Sequence, residues 1–181
     1  MSFKHTHTQL PDYMSDVFFE TGTYQGDTSR EAKDLNFPRV ITIELQPHLY
    51  EKSKTMSAGY DIEFHLGDSP TIMKSILPDI DGQITFWLDA HIDGGNYVPG
   101  VTPNIRQCPL YEELQIIKSL KRNDHIILID DMRIIGKVGW GIGTAIDILV
   151  QMIKEINPLY EIEFIEGDGG LNDILTARIK K

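Results

Sequence analysis

The sequence predicts a three-layer α/β/α domain built on a mostly parallel sheet, and three observations predict it. Apolar, β-branched runs alternate with helical periodicity five times before residue 157. The run at 84–88, I-T-F-W-L, is apolar almost throughout, as befits a strand covered by helices on both faces. Gly167-Asp168-Gly169-Gly170 makes a tight turn ahead of the last strand, which therefore runs antiparallel to its neighbour.

Residues 17–30, V-F-F-E-T-G-T-Y-Q-G-D-T-S-R, give the first unit: an apolar strand, a turn from Gly22 to Gly26, and a polar helix start. Glycine at these positions permits positive φ and lets a ligand approach the backbone, and Thr28 or Ser29 can cap the helix that follows. That helix, expected over 28–36, stops ahead of Pro38, which disfavours helix at the preceding residue. Residues 39–45, R-V-I-T-I-E-L, form the second strand with Glu44 near its end, and Pro47 opens a helix over 47–57 closed by Gly59. The third strand spans 62–67, after which Asp68-Ser69-Pro70 supplies an N-cap and an N1 proline for a helix to about residue 77.

The fourth strand ends at Asp89-Ala90-His91. Pro109 opens a helix in which Leu110, Leu114, Ile117 and Leu120 recur at helical spacing, with Cys108 packed at its entrance. The fifth strand, 126–129, ends in Asp130-Asp131, an amphipathic helix over 144–157 stops at Pro158, and strands at 160–165 and 174–179 complete the chain. Two segments lack a period. Residues 92–107 are long enough to form a rim around a ligand, and the glycine-rich 136–143 lacks the G-K-[ST] ending of a phosphate loop. Tyr97 and Trp140 within them are candidate acceptor contacts.

At 181 residues, 41% hydrophobic and 24% charged, the chain suits one domain with one substantial core. Residues 1–16 read as a polar tail carrying His5 and His7, and 17–181 as the domain. The net charge of −10 argues against a nucleic-acid backbone as partner, which draws on clustered Lys and Arg. Cys108 is the one cysteine, so an internal disulfide and a cysteine-based zinc site are excluded. With neither a signal-like N-terminus nor a long apolar run, the expectation is a cytoplasmic protein that does not engage membranes.

The first loop reads E-x-G-x-x-x-G rather than G-x-G-x-x-G, and Glu20 and Asp27 put negative charge where a pyrophosphate would sit, which disfavours a nicotinamide-dependent oxidoreductase. A cationic or zwitterionic ligand fits better. Glu44, about twenty residues after Gly22, can accept hydrogen bonds from both hydroxyls of a ribose. Asp68 can serve as an N-cap alone or also accept the exocyclic amine of an adenine. Ligands of open α/β sheets bind at the C-terminal strand ends, so Glu20, Glu44, Asp68, Asp89 and Asp130 are expected on one rim.

In this order of elements and motifs the chain resembles the class I S-adenosylmethionine-dependent methyltransferases from residue 17 to its end. Glu20-x-Gly22-x-x-x-Gly26 is similar to that family's first motif, Glu44 to its ribose-binding acid, Gly67-Asp68 to its adenine-contacting segment, and the terminal hairpin to its reversed last strand. The resemblance implies a Rossmann-like sheet, methyl transfer from S-adenosylmethionine, and a cofactor site of Glu20, Gly22, Thr23, Gly26, Thr28, Glu44, Asp68, Ser69 and Asp89.

Asp89 with Asp130 and Asp131 also resembles the metal-dependent O-methyltransferases, including the catechol type and those acting on antibiotic sugars. This implies a magnesium ion on Asp89, Asp130 and Asp131, a small-molecule or sugar hydroxyl as acceptor, and Asp89 or His91 as the base. Asp89-Ala90-His91 stands where the sugar-modifying enzymes often show Asp-Gly-Asp. Asp130 and Asp131, being adjacent, face opposite sides unless the backbone turns. The short lead-in before residue 17 leaves the acceptor pocket open, or completed by a second chain in a homo-oligomer. The alternative from another class is a non-catalytic, methyltransferase-like module that holds the cofactor or a partner without turnover.

Overall fold

In the computed structural model, which describes residues 10–91, 108–135 and 146–180, seven strands form one sheet in the order β3-β2-β1-β4-β5-β7-β6. The strands are β1 (Val17–Thr21), β2 (Arg39–Glu44), β3 (Glu63–Leu66), β4 (Ile84–Leu88), β5 (Ile126–Ile129), β6 (Glu161–Gly167) and β7 (Gly170–Arg178). The helices are α1 (Asp27–Asp34), α2 (Pro47–Met56), α3 (Ser69–Ile76), α4 (Leu110–Ser119) and α5 (Ile146–Ile156). All pairings among β1 to β5 are parallel, while β7 runs antiparallel to both β5 and β6. The expected three-layer, mostly parallel sheet with a reversed hairpin strand is what the chain adopts.

Successive strand residues point to opposite faces, and the core divides accordingly. Phe19, Ile41, Ile43, Phe86, Leu88, Ile127 and Ile129 face Met73 of α3, Leu114 and Ile117 of α4, and Leu149 and Ile153 of α5. Phe18, Val40, Trp87, Ile126 and Leu128 face the other side, where Ala32 of α1 and Phe37 cover them. β1, β4 and β5 are buried at every position, which is why their sequences are mostly apolar rather than alternating, with Glu20, Thr21 and Thr85 the buried polar exceptions.

Three local details differ from the expectations. The lead-in joins the core from Leu10: in the 3-10 turn Leu10–Tyr13, Leu10 and Tyr13 stand three apart on one face and are buried against the Trp87 side of the sheet. Helix α1 is capped by Gly26 in the left-handed conformation without any side-chain cap, because Ser29 turns its hydroxyl inward instead. The last strand starts at Gly170 rather than 174, since the hairpin ladder continues down to the Gly167–Gly170 pair. The segments expected to form an acceptor rim, 92–107 and 136–143 with Tyr97 and Trp140, lie outside the described residues, as do His5 and His7. No helix among the described residues is long and apolar enough to cross a membrane.

Candidate active site

The chain leaves β1 toward β2 and β3 on one side and returns as β4 on the other, so a crevice opens above the ends of β1 and β4. Gly22, at φ +87°, turns the chain there, and a Cβ on it would lie 2.7 Å from the Asp89 carbonyl oxygen and 2.9 Å from its carbon. The first loop therefore rests directly on the backbone of the β4 tip. It is stitched to the neighbouring tips as well: Gly22 N and Thr23 N donate to Ile43 O at 3.0 and 3.1 Å, and Asp89 N donates to Thr21 O at 3.1 Å.

Glu20 lies beneath this loop, 2% exposed, with its Oε2 accepting hydrogen bonds from Ser29 Oγ and, at 2.6 Å, from Thr42 Oγ1. The Thr42 hydroxyl in turn meets Thr23 Oγ1 at 2.5 Å. Burial pushes the Glu20 carboxyl up to about 8, against the two hydroxyl donors that favour its charged form. Glu44 is 5% exposed, and its two oxygens accept from Tyr24 N and Gln46 N, each at 2.8 Å. Its carboxylate thus holds the first loop to the second strand while keeping lone pairs for further donors. Burial raises its pKa, partly offset by these amides.

Asp68 caps α3, accepting from Thr71 Oγ1 at 2.8 Å and Thr71 N at 3.3 Å. Ser69 points inward and donates to Glu113 Oε1 at 2.5 Å. Thr28 is half-buried in the first turn of α1, beside Gly26. Gln46 went unnoticed in the sequence; its side-chain amide is buried, with neither atom hydrogen-bonded among the described residues. Glu113 was missed too, although it lies on the Leu110, Leu114, Ile117 stripe of α4, where a charged residue signals a buried partner. Burial pushes its carboxyl up to about 7.

The second constellation lines a small, partly open cleft bounded by Asp89, His91, Glu113, Asp130, Asp131 and apolar side chains, including half-buried Cys108. Burial pushes the Cys108 thiol up to about 11, so it packs rather than reacts. His91 stands between two carboxylates, its Nδ1 3.4 Å from Asp89 Oδ1 and its Nε2 3.4 Å from Asp131 Oδ2. Its Nδ1 also lies 3.0 Å from the Asp89 carbonyl oxygen. Burial works to lower the His91 pKa, but Asp89 and the Asp131 charge outweigh it and raise it. Asp89 is raised by burial, and Asp130 is pushed up to about 8 by burial and then by the charges of Asp89 and Asp131.

The backbone does turn between the paired aspartates: Asp131 has φ +59° and donates its N–H to Asp130 Oδ1 at 2.8 Å. The three expected metal ligands divide between two groups that share Asp131. Ligand atoms of Asp89, His91 and Asp131 lie within 4.8 Å of one another, as do those of Asp130, Asp131 and Asp173. In the first group Asp89 Oδ1 is buried and accepts no hydrogen bond from the described residues, so it suits a cation. Two carboxylates and an imidazole fit a divalent transition-metal ion better than magnesium, which prefers oxygen alone.

Comparison with solved structures identifies the architecture. A methyltransferase of Podospora anserina, PaMTH1, solved bound to SAH, superposes with a TM-score of 0.62 at 12% identity over 97% of this chain and 76% of that one. The chain has the class I methyltransferase fold. The O-methyltransferase TomG of Streptomyces achromogenes, involved in tomaymycin synthesis and solved with SAM, shares this fold at a TM-score of 0.59 and 16% identity, covering 97% of this chain and 78% of its own. An rRNA methylase of Streptococcus thermophilus shares it at a TM-score of 0.56 and 12% identity, over 97% and 95%. No family model matches the sequence, and no curated protein matches it either.

Proposed function

We propose that the chain is an S-adenosylmethionine-dependent methyltransferase acting on a hydroxyl of a small molecule or sugar, assisted by a divalent ion. The observation that carries this reading is the glycine turn at Gly22 resting on Asp89, with Glu44 buried at the adjacent tip, on a class I methyltransferase fold. Gly22 lets the first loop sit down on the β4 tip, Glu44 retains acceptor capacity for ribose hydroxyls, and the unpartnered Gln46 amide is a further polar group beside it. Glu20, buried beneath the loop, ties Ser29 and Thr42 together and so fixes the loop's shape rather than presenting charge to the crevice.

When bound, the cofactor would supply an electrophilic methyl group, and Asp89, His91 and Asp131 would hold a metal whose charge would lower the pKa of the acceptor hydroxyl. Asp89 or His91 takes the proton that this hydroxyl loses. With no ion on its ring, His91, flanked by Asp89 and Asp131, can hold that proton as an imidazolium between two carboxylates; as a metal ligand it cannot, and the proton then falls to Asp89. Asp130 borders the same cleft and orders the turn that aims Asp131. The charge of −10 favours a small acceptor over RNA, whose phosphates this surface would repel.

Calorimetric titration with S-adenosylhomocysteine tests the reading. The wild-type chain is expected to bind with a dissociation constant of the order of micromolar. Glu44→Ala, which removes a charged acceptor, is expected to weaken binding at least about tenfold. Absence of binding at several temperatures would overturn the cofactor assignment, and unchanged affinity in Glu44→Ala would remove Glu44 from the site.

A further inference from the structure

Arg133 is a cation at the carboxylate-rich end of the sheet, and the proposed reaction does not use it. Its Nη1 ion-pairs with Asp131 Oδ1 and, at 2.5 Å, with Asp173 Oδ2. Asp173 is 1% exposed and firmly held: its Oδ1 accepts Arg133 N at 3.2 Å, its Oδ2 accepts Gly169 N at 2.7 Å, and its carbonyl accepts Met132 N at 2.8 Å. The guanidinium, half-exposed, therefore spans a fixed carboxylate of β7 and the aspartate that both acidic groups share. A positive charge already sits where the Asp130, Asp131 and Asp173 group would otherwise attract a metal.

Resting on the metal-assisted reading above, we propose that Arg133 is a resident counter-cation that competes with a divalent ion for Asp131 and thereby sets how tightly this end of the sheet holds metal. An ion held by Asp131 Oδ2 with Asp89 and His91 would share that carboxylate with the guanidinium on Oδ1, and two positive charges on one carboxylate repel strongly outside bulk water. Binding is relieved when Arg133 gives up Asp131 and keeps Asp173. That exchange leaves no bare buried charge, because the guanidinium still neutralises Asp173 and the incoming ion neutralises Asp131. The half-exposed position of the Arg133 side chain gives its head room to move.

The test is titration with manganese(II) alone, followed by the electron paramagnetic resonance of the free ion, on the wild-type chain, Arg133→Gln, Arg133→Met and Arg133→Lys. Asp173 keeps the backbone donors Arg133 N and Gly169 N in all of them, so they are expected to fold, which thermal unfolding checks. The neutral variants are expected to bind manganese at least about tenfold more tightly than wild type, and Arg133→Lys, which keeps the charge, to stay within about threefold. Equal or weaker binding by the folded neutral variants would overturn the competition while leaving the metal reading intact. Absence of manganese binding in all four proteins would overturn both.

Discussion

Gly22→Ala is expected to destabilise the protein by roughly 2–4 kcal/mol and to abolish S-adenosylhomocysteine binding, by the combined cost of strained backbone and overpacking. At φ +87° an alanine is strained wherever space is found. Here there is no space either, since its Cβ would meet Asp89 O at 2.7 Å and Ala90 Cα at 3.0 Å, both main-chain atoms. The obstructing backbone cannot retreat cheaply: Asp89 N is bonded to Thr21 O, and Asp130 N to Leu88 O at the same tip. Gly26→Ala is a built-in comparison. Its φ is +75°, but its Cβ would meet the side-chain atoms Ser57 Oγ at 3.2 Å and Arg30 Nη1 at 3.3 Å, which can shift. Its cost is expected to be about 1 kcal/mol. Urea denaturation of both variants checks the ranking, and equal stabilities would contradict the close approach at Gly22.

The second large effect is a loss of stability as pH rises, to which Glu20 is one contributor. Its folded pKa, pushed up to about 8 by burial, lies above the unfolded value of 4.5, so between these the folded state holds a proton that the unfolded state has released. Stability from this group is therefore fully present below pH 4.5 and is lost progressively up to about pH 8, by an amount on the order of 4 kcal/mol. His125 acts with the opposite sign. Burial lowers it to about 4, its Nδ1 accepts Ile84 N at 3.1 Å, and keeping it neutral adds stability as pH rises to 6.5. Above pH 6.5 it no longer offsets Glu20. The melting temperature of the ligand-free protein should fall between pH 6.5 and 8.5, with Asp130 and Glu113 contributing in the same direction, and Glu20→Gln, an isostere that holds no charge, should remove a part of that fall. Parallel curves for the two proteins would show that Glu20 does not contribute.

The sheet was legible because its signals are local. Pro38, Pro47, Pro70 and Pro158 punctuate the helices, and fully buried strands announce themselves as apolar runs such as I-T-F-W-L. The placement of Gly22, Glu44, Asp89 and the Asp130-Asp131 pair at strand ends followed from the same punctuation. What sequence reasoning missed depends on partners distant along the chain. Ser69 and Glu113 are 44 residues apart, Arg133 and Asp173 are 40 apart, and no local pattern joins them. Thr28 and Ser29 were read as caps because hydroxyls usually satisfy a helix start, but a buried glutamate one strand earlier offered Ser29 a stronger acceptor. The division of the metal group followed from the turn at Asp131, a backbone angle that composition does not reveal.

The central place of β1 has a consequence for the order in which the molecule comes into being. Its partner β2 follows about twenty residues later, but its other partner, β4, pairs Val17 with Ile84, a closure across more than sixty residues. Such distant pairings form late, because the loop entropy must be overcome before any contact is gained. While the chain is being synthesised, β1 to β3 can assemble as a half-sheet with one side of β1 open, and Gly22 then has nothing to rest on. The crevice is thus a product of final assembly, and no fragment ending before β4 can present it.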